Sequence, residues 1–326
     1  MLENRKRHLP TIMLLTLVLL WTTGVTGAVA GDFNFSKTEK FTRSIEGRPD
    51  FPVSLVFSRD YLYSLGALGA KIDGKKQNDI ASFIGRLQRL DGGFTNEKIE
   101  KESSILFTEM ALDTLSLVNL PAKADLKQAR AYVISLQNAD GGFGFDAKNK
   151  QSTLVNTYYA IHSLSLLKEL KAVDAAKTAA FIKSFENKTG GFDYVKGTAV
   201  PKAKFTYMAV YILKVLGKLD EKTRQDALKF LSGTGYAAGN KEQVDVLQML
   251  EEMGYTVDTF KLLGAPKKID KKKGIGILKQ LYFAETGGFG SVPGDASTPD
   301  STTAGIRILA GIRTLKEPKV YPLVKK

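Results

Sequence analysis

The sequence predicts an all-α fold: about six helical hairpins of one repeat, closed into a ring. Three observations predict it. The string Leu87-Gln88-Arg89-Leu90-Asp91-Gly92-Gly93-Phe94 returns as Leu136-Gln137-Asn138-Ala139-Asp140-Gly141-Gly142-Phe143, and in degraded form at 185–192 and 283–289. The first glycines stand at 92, 141, 190 and 287, so the steps are 49, 49 and 97 residues, the last nearly two repeats. A fixed period of this length marks stacked supersecondary units. Finally, no stretch alternates apolar and polar residues with period two over a useful length, which leaves no sheet. The absent copy falls near residue 239, in Gly235-Tyr236-Ala237-Ala238-Gly239, and one step back from Gly92 lands close to Gly47.

Taken in order, residues 1–30 read as a signal peptide. Arg5, Lys6 and Arg7 precede an apolar run over 11–21, and Ala28-Val29-Ala30 offers a small-residue cleavage site before Gly31. The mature protein is therefore expected outside the cytoplasm, secreted or periplasmic. The alternative is a retained leader acting as a membrane anchor, since 11–30 is just long enough to span a bilayer. Residues 31–52 form an irregular lead-in with a short helix near 37–44. The ring itself occupies 53–326.

Each unit of the ring holds two helical stretches. The first set, 53–68, 103–119, 152–170, 203–219, 241–255 and 301–315, is rich in Leu, Ala, Phe and Tyr and apolar on most sides. Helices of that kind are buried, so these form the inner layer. The second set, 75–90, 123–138, 173–187, 221–232 and 271–284, is one-sided and belongs outside. Phe181 and Phe185, four residues apart, mark the inward stripe of one such helix, with Lys177 and Lys183 elsewhere. Between the layers the first glycine of the pair supplies the positive φ that ends a helix, and the second lets the chain pass close to its neighbour. The phenylalanine then enters the seam, and Gln88 and Gln137 are placed to bond helix-end groups of the adjacent unit. The turn is no phosphate loop, because no strand precedes it and no Lys-Ser or Lys-Thr follows.

Composition limits the chemistry. The chain has no cysteine and two histidines, His8 in the leader and His162. Disulfides, thiolate catalysis and cysteine- or histidine-rich metal sites are excluded, so no metal and no cofactor are expected. The formal net charge of +13 attracts acidic surfaces. It equally describes a solvated lysine face. No nucleic-acid-binding motif accompanies it, so nucleic acid is not an expected partner.

The Gln-x-x-Asp-Gly-Gly-Phe repeat, each copy followed by a buried helix, resembles the prenyltransferase and squalene-cyclase repeat family. The resemblance covers nearly the whole mature chain and implies an α/α toroid around a central cavity. Its chemistry is tested residue by residue. Protein prenyltransferases of that family hold zinc through Asp, Cys and His. Here Asp300-Ser301-Thr302-Thr303, after Gly287-Gly288-Phe289 and Pro293-Gly294, resembles the histidine segment, with Thr303 at the histidine position. The segment 240–247 resembles the other, with Asp245 matching the aspartate and Leu247 replacing the cysteine. Two of three ligands are missing. The Asp-x-Asp-Asp acid of class II terpene cyclases is also absent. Both reactions are therefore unexpected, and whether the protein is an enzyme stays open.

The candidate catalytic groups are Asp245, Asp300, His162, Glu109 and Asp113. Glu109 and Asp113 are four apart and share a helix face, suited to acid–base work or simply to ion pairing. His162 reads as an acid–base group or as a hydrogen-bonded packing residue. The candidate ligand-binding residues are the aromatics Phe57, Tyr61, Phe107, Tyr158, Tyr159, Phe205 and Tyr211, which line either the cavity or the core between layers. The expected function is binding of an apolar or isoprenoid-like lipid in the central cavity. The alternatives are a divergent enzyme acting on terpenoid, prenyl or polysaccharide substrates through carboxylates, and a cell-surface module for an acidic partner.

Overall fold

Ser54, Ser104, Thr153 and Thr298 each turn a side-chain oxygen onto a free first-turn amide and start an inner helix. Asn34, Asp73, Asp125, Asp174 and Asp270 do the same for outer helices. In the computed structural model, which describes residues 32–47, 51–52, 54–118, 123–197, 201–234 and 246–324, these caps organise twelve α-helices. The inner set is α2 (Leu55–Ala67), α4 (Ile105–Ser116), α6 (Leu154–Leu166), α8 (Ala203–Val215), α10 (Val246–Leu262) and α12 (Pro299–Gly311). The outer set is α1 (Phe35–Arg43), α3 (Gly74–Leu87), α5 (Leu126–Ser135), α7 (Ala175–Lys183), α9 (Glu221–Thr234) and α11 (Lys271–Leu281). Among the described residues there are isolated bridges and no strand. No described helix is long and apolar enough to cross a membrane. The leader and residues 235–245, where the repeat signature is missing, lie outside the described residues.

Each inner helix packs on the next, and α12 packs back on α2, so the ring is closed. The turns lock it. Phe94, Phe143, Phe192 and Phe289 have no exposed surface. Their backbone amides donate to Thr108, Thr157, Thr206 and Thr302 of the inner helix that follows, at 2.9–3.1 Å. The second glycine leaves room for an aromatic ring of the next outer helix: Tyr132, Phe181, Phe230 or Phe41. Gln88 does bond the neighbouring unit, giving its Nε2 to the Asp125 carbonyl (2.8 Å) and accepting the Asp125 amide (2.7 Å). The lead-in helix α1 supplies Phe41 and so takes the outer position after α11.

Beyond α12 the chain becomes a strap over the C-terminal ends of the inner helices. The Tyr321 amide donates to the Ser116 carbonyl (2.7 Å), and Lys168 Nζ donates to the Val324 carbonyl (2.9 Å). Glu317 pairs with Lys261 and accepts from the Tyr63 hydroxyl (3.4 Å). One strap thus touches α2, α4 and α10 and the residue just past the end of α6.

Candidate functional site

Five inner helices end in a left-handed residue: Gly69, Lys168, Gly217, Gly264 and Arg313. Six positions earlier stand Tyr63, His162, Tyr211, Asp258 and Arg307, and the same register on α4 gives Asp113. These six form one tier around the ring's centre. Their interactions cross it: Arg307 senses Asp258, Tyr63, Tyr255 and Tyr207, and Asp113 senses His162, Arg59 and Arg307. Arg307 is exposed even though these groups surround it, which places it open to the lumen. Its guanidinium lies over the Tyr63 ring at 5.5 Å, and it makes no ion pair among the described residues.

One turn toward the helix N-termini the same face carries Arg59, Glu109, Tyr158 and Tyr207. Glu109 is buried and holds His162 Nδ1 at 2.6 Å. Tyr158 stacks on the His162 ring at 5.7 Å, and Tyr211 meets it edge-on at 5.4 Å. The aromatic contacts continue through Tyr158–Tyr159, Tyr158–Tyr207 and Tyr207–Tyr255 at 5.5–5.9 Å. Arg59 pairs loosely with Asp60 at 3.4 Å. The lumen is therefore a tyrosine wall around a charged network rather than a plain apolar well.

Burial raises the carboxyls of Asp60, Asp113 and Asp258, and at Asp113 the charge of Glu109 adds to the effect. Burial alone would lower the His162 imidazole, but the bond to Glu109 and the charges of Glu109 and Asp113 outweigh it, with Arg59 opposing. His162 is therefore raised above its ordinary value. A histidine of this kind contributes stability that is complete below its unfolded pKa, about 6.5, and is lost as pH rises through the folded value. The raised Asp113 acts in the same sense. The melting temperature should thus fall as pH rises above neutrality, and His162→Gln should flatten that slope. A variant with an unchanged slope would mean that the pair does not titrate there.

The sequence candidates divide. His162, Glu109 and Asp113 come together as one group with Tyr158, Tyr159 and Tyr211. Tyr61 sits elsewhere: it is fully buried, gives its hydroxyl to Glu46 and packs on Phe51 at 5.2 Å, in the shell between layers. Phe57 borders a small crevice at the seam of α1, α2 and α12, together with Phe41, Asp60 and Thr302. Phe107 is half-buried against the core cluster of α2–α5. Phe205 meets Tyr194 of the preceding loop at 5.5 Å. Asp300 is exposed in the first turn of α12, and Asp245 lies outside the described residues. Arg59, Tyr63, Asp258 and Arg307 were not among the sequence candidates. Counting six residues back from Gly69 and Gly264 would have found Tyr63 and Asp258; Arg59 lies one turn further back, and Arg307 precedes a left-handed arginine that the sequence does not mark.

Thr303 is buried and its hydroxyl bonds Ser64 of α2 at 3.1 Å. Among the described residues no group of three acidic, histidine or cysteine side chains is arranged to hold a metal ion.

Residues 37–152, 145–246 and 240–325 each match the family described as prenyltransferase alpha-alpha toroid domain. Among solved structures, the chain is similar to Candida albicans protein geranylgeranyltransferase-I complexed with GGPP. The TM-score is 0.71 at 19% identity, over 87% of this chain and 93% of that one. It is also similar to the type II terpene cyclase MstE from Scytonema, with a TM-score of 0.58 at 11% identity, over 88% and 98%. A form of that cyclase in complex with geranylgeranyl dihydroxybenzoate gives 0.55 at 12% identity, over 87% and 97%. No curated protein matches the chain in sequence.

Proposed function

From the premise that the chain belongs to the prenyltransferase alpha-alpha toroid family, we propose that it is an exported toroid binding an isoprenoid-like or other long apolar ligand in its lumen. The carrying observation is the continuous tyrosine wall of Tyr158, Tyr159, Tyr207, Tyr211 and Tyr255, which offers flat apolar faces to a chain. The isoprenoids held by the geranylgeranyltransferase and cyclase structures support the same ligand class. Export rests on the leader, and native protein beginning near Gly31 by mass spectrometry is its test. We further propose that the protein works without zinc. The chain has no cysteine, and Thr303, at the position of the family's histidine ligand, spends its hydroxyl on Ser64. One equivalent of zinc in protein purified without added metal would refute this.

The ligand reading is tested with Tyr158→Leu, which keeps apolar bulk. Weaker binding of geranylgeraniol with a melting temperature near that of the wild type is expected. Early unfolding with unchanged binding would instead make Tyr158 a core residue. Charge reversal at the exposed outer lysines Lys75 and Lys127 should leave this binding intact and change only salt-sensitive association.

A second reading rests on Asp113. A carboxyl raised by burial and by Glu109, in a tyrosine-lined lumen, is equipped as a general acid. Asp113→Asn would then abolish turnover of an isoprenoid substrate while leaving its binding in place. Equal turnover by both proteins excludes it.

A further inference from the structure

We propose, resting on the lumen-binding reading above, that the ligand enters head first and that its head is a neutral polyhydroxyl group, such as a sugar ring, seated on the tier of Tyr63, Asp113, His162, Tyr211, Asp258 and Arg307. Three observations carry it. The tier mixes donors and acceptors around a full circle. Arg307 offers a fork of N–H groups, Asp113 and Asp258 offer oxygens, and Tyr63 and Tyr211 offer hydroxyls. Burial holds both tyrosines above their ordinary pKa, so they stay protonated; Tyr63 gives its proton to Glu317 and keeps its oxygen as an acceptor for a ligand hydroxyl.

The second observation is charge. The tier and the turn above it bring three carboxyl groups, Glu109, Asp113 and Asp258, against three cations, Arg59, His162 and Arg307, with Asp60 paired to Arg59 from the seam behind. Each cation already has an acidic neighbour: Asp60 for Arg59, Glu109 for His162 and Asp258 for Arg307. An anionic head would have to enter beside these carboxyl groups, and an ammonium head beside two guanidinium groups. Both are opposed in a low-dielectric well. A neutral group with several hydroxyls meets partners at every side and adds no charge.

The third observation is the closed end. The strap crosses just behind this tier, with Glu317 accepting from Tyr63 and Pro318 pressed against Gly66. The polar tier is thus a floor with protein behind it. The tyrosine wall lies on the helix N-terminal side of this tier, and an amphiphile that places its head on the floor lays its chain along the wall.

The experiment compares dodecyl maltoside, dodecyl phosphate and dodecyltrimethylammonium by calorimetry below micelle-forming concentrations. The glycoside is expected to bind at least about tenfold more tightly than either charged probe. Arg307→Gln should bring the three within about twofold of one another, and Tyr211→Phe, which removes a single hydroxyl, should weaken only the glycoside. Tighter binding of the phosphate or the ammonium probe, or equal binding of all three by the wild type, overturns the neutral head and leaves the apolar lumen standing. No binding of any of the three, or of geranylgeraniol, removes the lumen reading as well.

Discussion

Replacing Phe143 with alanine is expected to lower the unfolding free energy by about 3–5 kcal/mol. The ring has no exposed surface and belongs to the largest core cluster, with Val133, Leu136, Ile161 and Ile182. Its backbone is fixed independently, by the amide bond to Thr157 Oγ1 at 3.1 Å and by the bridges to Gln137 and Thr153. The surroundings can therefore not collapse into the space without breaking the turn, and a cavity is left. Phe143→Leu keeps most of the volume and should cost under about 1.5 kcal/mol. Denaturant midpoints of the two variants decide the point. If alanine costs less than about 1 kcal/mol, the repeated turn is an ornament of the ring and not its seam.

The period made the fold legible. Four copies of one turn, spaced by one period or nearly two, define a unit whose two helices differ visibly in polarity. The lumen was legible only in part, and Tyr61 and Tyr63 show why. Residues two apart on a helix point about 200° away from one another. Tyr61 faces the outer layer and Glu46, whereas Tyr63 faces Arg307. Because the inner helices bury one face against the outer layer and turn another to the lumen, hydrophobicity alone does not say which side is which. The histidine–carboxylate group was found because such residues are conspicuous on any helix. Arg59, Asp258 and Arg307 were not singled out in the sequence, where a charge on an inner helix does not show which way it faces. What identifies them is register, read from a left-handed residue that is glycine at 69, 217 and 264 but lysine at 168 and arginine at 313.

Gly287→Ala is expected to open the ring at its join. Gly287 has φ of +82°, where an L side chain costs about 1–2 kcal/mol. A Cβ there would also stand 2.5 Å from the Thr38 amide nitrogen of α1, closer than packed atoms approach, and backbone cannot yield as a flexible side chain does. The Asn34 amide donates to the Tyr282 hydroxyl at 2.8 Å, Lys37 Nζ reaches the Ala284 carbonyl at 2.7 Å, and Phe33 packs on Tyr282 and Phe289. Gly217→Ala separates the two causes, since Gly217 has φ of +66° with nothing within 4 Å of an added Cβ. It should cost only the backbone term of about 1–2 kcal/mol, while Gly287→Ala should cost about twice that or more. The excess should localise: amides of α1 should exchange faster in Gly287→Ala, and those of α5 and α7 should keep wild-type protection. Equal losses in the two variants, with α1 still protected, would mean that the ring does not depend on α1 for its closure.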